Sequence, residues 1–237
     1  MRDASPERGG GRRPEGYTAS DRPLSPSLRT GTAPLAGEPT RFWRYMNMSI
    51  ILASASPRRR ELMHMLGISD IKIIPAVGEE KADRGLSPDE LVKALAAHKA
   101  KEVAAKCAPE DIVIAADTIV WYDHRVYGKP HSEAEAAAML RALSGNTHEV
   151  YTGVAVLRGE TMLNEAERSA VHFRPLSDAE IDAYIRTGEP MDKAGAYGAQ
   201  GKAALFVEGI EGDFFNVMGL PLCRLGRMLS KLGVELL

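Results

Sequence analysis

The chain has 237 residues, 44% hydrophobic and 26% charged, which suits one large globular domain or two small ones with a sizeable core. A formal net charge of −2 excludes a global bias towards polyanions, so a phosphate site must be local and nucleic acid is not the expected partner. Cys107 and Cys223 lack metal-ligand spacing, and no apolar run reaches the length of a membrane span or a secretory leader. A reduced, cytoplasmic protein without a membrane is therefore expected.

Residues 1–47 carry eight Arg, no Lys, six Pro and six Gly without apolar periodicity until "FWRYM". This composition predicts a disordered extension, from a misassigned start or a basic arm for an acidic partner, whose loss leaves the fold intact. The folded domain is expected over 48–237.

From Ser49 strands alternate with helices. "SIILAS" predicts a short strand, and "PRRRELMHMLG" a helix with Ser56 as N-cap, Pro57 at its first position and Gly67 at its end. "IKIIPAV" predicts a second strand. Ser87-Pro88 opens a long helix to Cys107, with Leu91, Leu95, His98 and Val103 near one stripe. "DIVIAADTIVWYD" is almost continuously apolar, as in a central strand buried on both faces. Asp123-His124 turns it back into "RVYGKP". Ser132 caps a further helix, and "HEVYTGVAVLR" and "NEAERSAVHFRPL" predict two more strands. Ser177 and Glu180 form a capping box before "IDAYIRTG". After a Gly/Ala-rich loop come a strand in "AALFVEGIEGD" and a helix within "GLPLCRLGRMLSKLG". Hairpins interrupting the βα alternation predict an α/β fold with a partly antiparallel sheet.

Two features point to chemistry. The first is "SPRRREL", because a helix N-terminus is partially positive and favours carboxylates over arginines. On a wheel of about 100° per residue, with Leu62, Met65 and Leu66 as the inward stripe, Arg58 and Arg59 fall about 40° and 60° either side of Leu62. Arg60 points away. Arg58 and Arg59, with the free amides of the first turn and the hydroxyls of Ser54 and Ser56, make a donor cluster suited to phosphate. The alternative is pairing with acids such as Glu61, or hydration.

The second is Asp117, a carboxylate within a strand that otherwise reads as core. Burial of a lone carboxylate costs several kcal/mol. It requires a cation, donors such as the Thr118 hydroxyl, or a proton; the bland alternative is a structural Asp satisfied by loop amides. Glu79 and Glu80 could join it around a hard divalent ion, or form a solvated turn. Lys99 and Lys129 are further candidate cations, although Lys99 on an apolar stripe commonly snorkels to water. "GKP" is not a P-loop, and "GAYGAQG" lacks dinucleotide-binding spacing. His148 reads as a hydrogen-bonded structural histidine. Gly195 to Gly201, with Tyr197 and Gln200, suits either a pocket for a base edge or a tight connection.

In this order, "LASASPRRREL", "AADTIV", "GKP", "LSGNTHEVYTGV", "GEPMDKAGAYGAQG" and "GDFFNVMGLPL" resemble the Maf family of nucleoside triphosphate pyrophosphatases over essentially residues 48–237. The resemblance implies a two-lobed α/β fold similar to inosine triphosphate pyrophosphatases, with a central nucleotide cleft. It also implies a divalent cation, Mg2+ or Mn2+, and cleavage between the α and β phosphates to nucleoside monophosphate and pyrophosphate. Asp117 corresponds to the proton acceptor, and Arg58, Thr118 and Gln200 to positions linked to substrate selection. Glu80, Lys99 and Lys129 match other cleft positions, the choice of Glu80 over Glu79 being a matter of register. "MDKAGAYGAQG" resembles the subgroup acting on dTTP and UTP. A homodimer is expected from the family alone. Because Maf proteins are associated with arrest of cell division and septum formation, the alternative function is a nucleotide-sensing regulator with a cell-division protein as partner.

Overall fold

The structure, a computed structural model, describes residues 48–78 and 85–237. The expectations for segment 1–47 and for Glu79 and Glu80 lie outside the described residues. The described residues all belong to one compact unit, Glu38–Leu237.

The strands are β1 (Ile50–Leu52), β2 (Ile71–Ile73), β3 (Ile112–Tyr122), β4 (Arg125–Tyr127), β5 (Thr147–Arg158), β6 (Thr161–Phe173) and β7 (Val207–Glu211). They form one sheet in the order β2-β1-β3-β5-β6-β7, with β4 also on β3. β1 runs parallel to β2 and β3, while the β3–β4, β3–β5, β5–β6 and β6–β7 pairs are antiparallel. The expected mixed α/β sheet is thus present. The β3–β4 turn places Asp123 and His124 at φ 47° and 59°, the left-handed pair that a two-residue hairpin requires.

Period-two alternation explains the apolar run in β3. Val113 and Ala115 pack with Ala96, Ala100 and Val103 of α2 (Pro88–Ala104). Ile112, Ile114 and Ala116 pack on the opposite face with Leu62 and Met63 of α1 (Pro57–Met65) and Leu225, Met228 and Leu229 of α6 (Leu222–Lys231). Each of the fully buried Val, Ile, Leu and Met side chains among these contributes about 1.5–3 kcal/mol. A separate cluster joins Val120 and Val150 to α3 (Glu133–Leu143) and α4 (Asp178–Ile185). Ser132 and Ser177 cap these helices as expected, each accepting a backbone N–H in the first turn.

The departures are local. In α1 the buried pair is Leu62 and Met63, whereas Met65 is 63% exposed, so the inward face is rotated towards Arg59. Ser56 holds the N-cap position without a side-chain cap hydrogen bond. In α2 the buried stripe passes through Val92, Leu95, Ala96 and Ala100, leaving His98 outside. Only Val207–Glu211 of the expected seventh strand is extended; Lys202–Phe206 forms a tight 3-10 turn. Before α6 lies a short helix without a sequence forecast, α5 (Phe214–Met218), capped by Asp213 Oδ1 on the Phe215 amide and closed by Gly219 at φ 108°.

Candidate active site

Chain length in β1 determines where the sheet opens. β1 covers β3 at Ile112, Val113 and Ile114 and then stops, while β4 resumes pairing on the same edge only at Val120. Among the described residues, Ala115 to Ile119 therefore have no strand on that side. β1 instead leads into the N-terminus of α1, and a cleft of about 700 Å³ occupies the opening. Sites outside the carboxyl ends of parallel strands, at a break in strand order, are favoured in open α/β sheets. Asp117 and Thr118 point to opposite faces of β3, yet both line this cleft because no described strand covers the β3 edge between them.

Arg59 fills the break. Its Nη1 donates to Ala116 O (2.8 Å) and Ser54 Oγ (3.3 Å), its Nε to Gly219 O (2.8 Å) and its Nη2 to Thr118 Oγ1 (3.0 Å). Thr118 Oγ1 lies 2.9 Å from Thr152 Oγ1, which donates to Asn216 O at 3.0 Å, so the proton order runs from Arg59 through both threonines. The guanidinium expected to face phosphate is thus largely committed to protein acceptors, and the Thr118 hydroxyl belongs to this chain, on the far face from Asp117.

Asp117 is 8% exposed, and its cation is Lys99, with Nζ 2.5 Å from Oδ1. Lys99 extends the buried stripe of α2, and its ammonium turns into the cleft instead of snorkelling outward. Gly153 makes this possible. It sits opposite Asp117 on β5, and a Cβ there would fall 2.1 Å from Val92 O, so the glycine lets α2 lie directly on the sheet. Lys129 and Gln200, both exposed, line the same cleft.

Two residues not singled out from the sequence also line it. Asp192 accepts from Arg58 Nη1 through Oδ2 (2.9 Å) and from Lys193 Nζ through Oδ1 (2.6 Å). Desolvation opposes the Asp192 charge, but the hydrogen bonds from Lys193 and Arg58 outweigh it and hold the carboxyl below its ordinary pKa. The motif "MDK" carried the only signal, adjacent opposite charges, which usually means a solvated turn.

The glycines at 195, 198 and 201 have separate tasks. Gly195 is left-handed (φ 67°) and lies against Val120; a Cβ at Gly198 would strike Lys193 Cε at 2.6 Å; one at Gly201 would strike Glu189 Oε1 at 2.1 Å. Tyr197 is buried, with its hydroxyl 2.8 Å from His148 Nε2. Burial and, secondarily, the charge of His172 push His148 down to about 3, so it is a neutral structural partner of the tyrosine.

The described residues contain no group of three or more His, Cys, Asp or Glu able to hold a metal. An ion of the Mg2+ type does not need one, since it takes one or two carboxylates together with phosphate oxygens and water. Asp117 supplies a carboxylate of that chemistry in the cleft.

A family model described as "Maf-like protein" matches residues 49–232. A dTTP/UTP pyrophosphatase of Bacillus cereus is 48% identical over 186 residues, covering 78% of this chain and 96% of that protein. The protein of the same name in Bacillus anthracis is 47% identical over the same extent. Among solved structures, a HAM1 protein from Coxiella burnetii aligns over 78% of this chain and 99% of its own, at 18% identity and a TM-score of 0.43, a likeness too distant to bear on activity. No described helix is long and apolar enough to cross a membrane.

Proposed function

Because this chain belongs to the family of Maf-like proteins, we propose that it hydrolyses nucleoside triphosphates, dTTP and UTP foremost, to the nucleoside monophosphate and pyrophosphate. The observation that carries this reading is a nearly buried carboxylate, Asp117, in a cleft that also presents Arg58, Lys99 and Lys129. The base preference rests on relatives that bear the name dTTP/UTP pyrophosphatase.

Asp117 accepts a proton from a water molecule that attacks the α phosphorus. One oxygen–phosphorus bond forms while the bond to the bridging oxygen breaks, and the electron pair leaves with pyrophosphate. Lys99, in contact with Asp117, offsets the repulsion between this carboxylate and the incoming triphosphate. Arg58 and Lys129 screen the remaining phosphates, and Gln200 at the rim offers its amide to the pyrimidine edge. Asp117, with Glu80 as the second carboxylate, would hold a divalent ion such as Mg2+ or Mn2+, whose chemistry when bound is neutralisation of phosphate charge.

The test is incubation of the purified protein with a panel of nucleoside triphosphates and Mg2+ or Mn2+, separating released pyrophosphate from orthophosphate. Pyrophosphate from dTTP and UTP is the expected product; orthophosphate alone would overturn the reading. Asp117→Asn is expected to remain folded and to lose turnover by a factor of about 100 or more. A near-normal rate removes Asp117 from the role of base.

A further inference from the structure

We infer that Lys193 and Arg58 together form an anion subsite at the cleft mouth, that the Asp192 carboxylate occupies it as an internal counter-ion, and that the polyphosphate part of a ligand displaces this carboxylate. The inference rests on reading the cleft as a polyphosphate site and deepens that reading by adding a cation and an exchange step.

The two cations are built into the wall, whereas their counter-ion is not. The side chains of Arg58 and Lys193 are 22% and 12% exposed, and that of Asp192 is 60% exposed. Each cation also has an anchor independent of the carboxylate. Lys193 Nζ donates to Glu189 O at 2.7 Å, and Arg58 Nη2 approaches Asp192 O at 3.4 Å. Rotation of the Asp192 side chain would leave each cation a backbone acceptor. The lysine stem is seated by Gly198, where any Cβ would overlap Cδ and Cε at 2.8 and 2.6 Å. A flexible surface lysine would need no such provision.

Energetics favour exchange. The Asp192 carboxylate is solvated on its outer side, which screens its attraction to the two cations and leaves it exchangeable. A phosphate group carries more charge and presents three oxygens, so it satisfies a guanidinium and an ammonium simultaneously and more strongly. Asp192 thus keeps two like charges compatible in the absence of ligand and yields to a stronger anion.

This arrangement makes a prediction whose sign separates it from a simple brace. Asp192→Asn keeps the shape and removes the competing charge. Calorimetric titration with inorganic pyrophosphate is expected to show about three- to tenfold tighter binding by this variant, with a matching fall in KM for dTTP. Lys193→Gln is expected to weaken pyrophosphate binding about tenfold, and Asp192→Asn in the Lys193→Gln background is expected to lose most of its gain. Gly198→Ala is expected to behave like Lys193→Gln, with thermal melting to confirm that each variant is folded.

Weaker binding by Asp192→Asn would overturn the inference, because the carboxylate would then be orienting the cations for the ligand. Unchanged binding by Lys193→Gln, or no pyrophosphate binding by the unaltered protein at millimolar concentration, would overturn it as well. Tighter binding by Asp192→Asn without release of pyrophosphate from any nucleotide would sustain the subsite while overturning the hydrolase reading.

Discussion

Arg58 and Arg59 differ by one position, hence by about 100° around α1, and that rotation separates their surroundings. Arg59 spends its guanidinium on two carbonyls and two hydroxyls drawn from β3, the β1–α1 connection and the turn after α5. A lysine has one compact ammonium and cannot span acceptors set around a planar fork. Arg59→Lys is expected to lower stability by about 2 kcal/mol and to reduce kcat for dTTP more than it raises KM, since Ala116 and Thr118 flank Asp117. Urea unfolding and steady-state kinetics read both, and an unchanged unfolding midpoint would contradict the assignment. The helical period revealed that both arginines face inward. It did not reveal that Arg59 meets Ala116 and Gly219, because those acceptors lie 57 and 160 positions away in the chain.

At the level of elements, the segments with strong local signals lie where the sequence places them. Ser132 and Ser177 cap α3 and α4, and the two-sided apolar run of β3 occupies the middle of the sheet. Segments whose conformation depends on distant contacts were not legible. α5 is one turn long and has no apolar period of its own, and residues 202–206 have strand-like composition but follow a tight turn. Gly153 is a stronger case, since its importance lies entirely in the approach of α2. Gly153→Ala would place a Cβ 2.1 Å from Val92 O, forcing α2 off the sheet and Lys99 away from Asp117. A loss of at least about 3 kcal/mol is expected, measurable as a lowered urea midpoint, with activity reduced in the fraction that remains folded. A variant as stable as the parent would mean that α2 can shift without cost.

For the molecule as a whole, the buried His148 sets a pH dependence of stability. Its folded pKa, about 3, lies below the ordinary 6.5. Between those values the unfolded chain binds a proton that the folded protein does not, so stability decreases as pH falls through this window, by up to about 1.4 kcal/mol per pH unit. Glu102, held down to about 2 by the Val77 and Gly78 amides, and Glu180, held down to about 2 by Arg174 and Ser177, add losses of the same direction mainly as pH falls through their ordinary 4.5. Between pH 6 and 5 the histidine is the largest single contributor, and its share is read from the difference in urea midpoints between the parent and a variant lacking it. His148→Gln is expected to flatten the dependence there, and an equal slope in both proteins would rule it out. The resemblance of ordered motifs identified the family from the sequence, while the charge state of His148 depended on the packing of Phe173 and Tyr197 around it.

The break along β3 has a further consequence for colloidal behaviour. A bare strand edge is a template on which another chain can add by β-pairing, and proteins shield such edges with charge or with a covering element. Here the shield is the first turn of α1 together with Arg59, a single side chain donating to the Ala116 carbonyl. Fraying of α1 on heating would uncover that edge before the core melts, so self-association should precede global unfolding. A polyphosphate lodged across the same opening would postpone it.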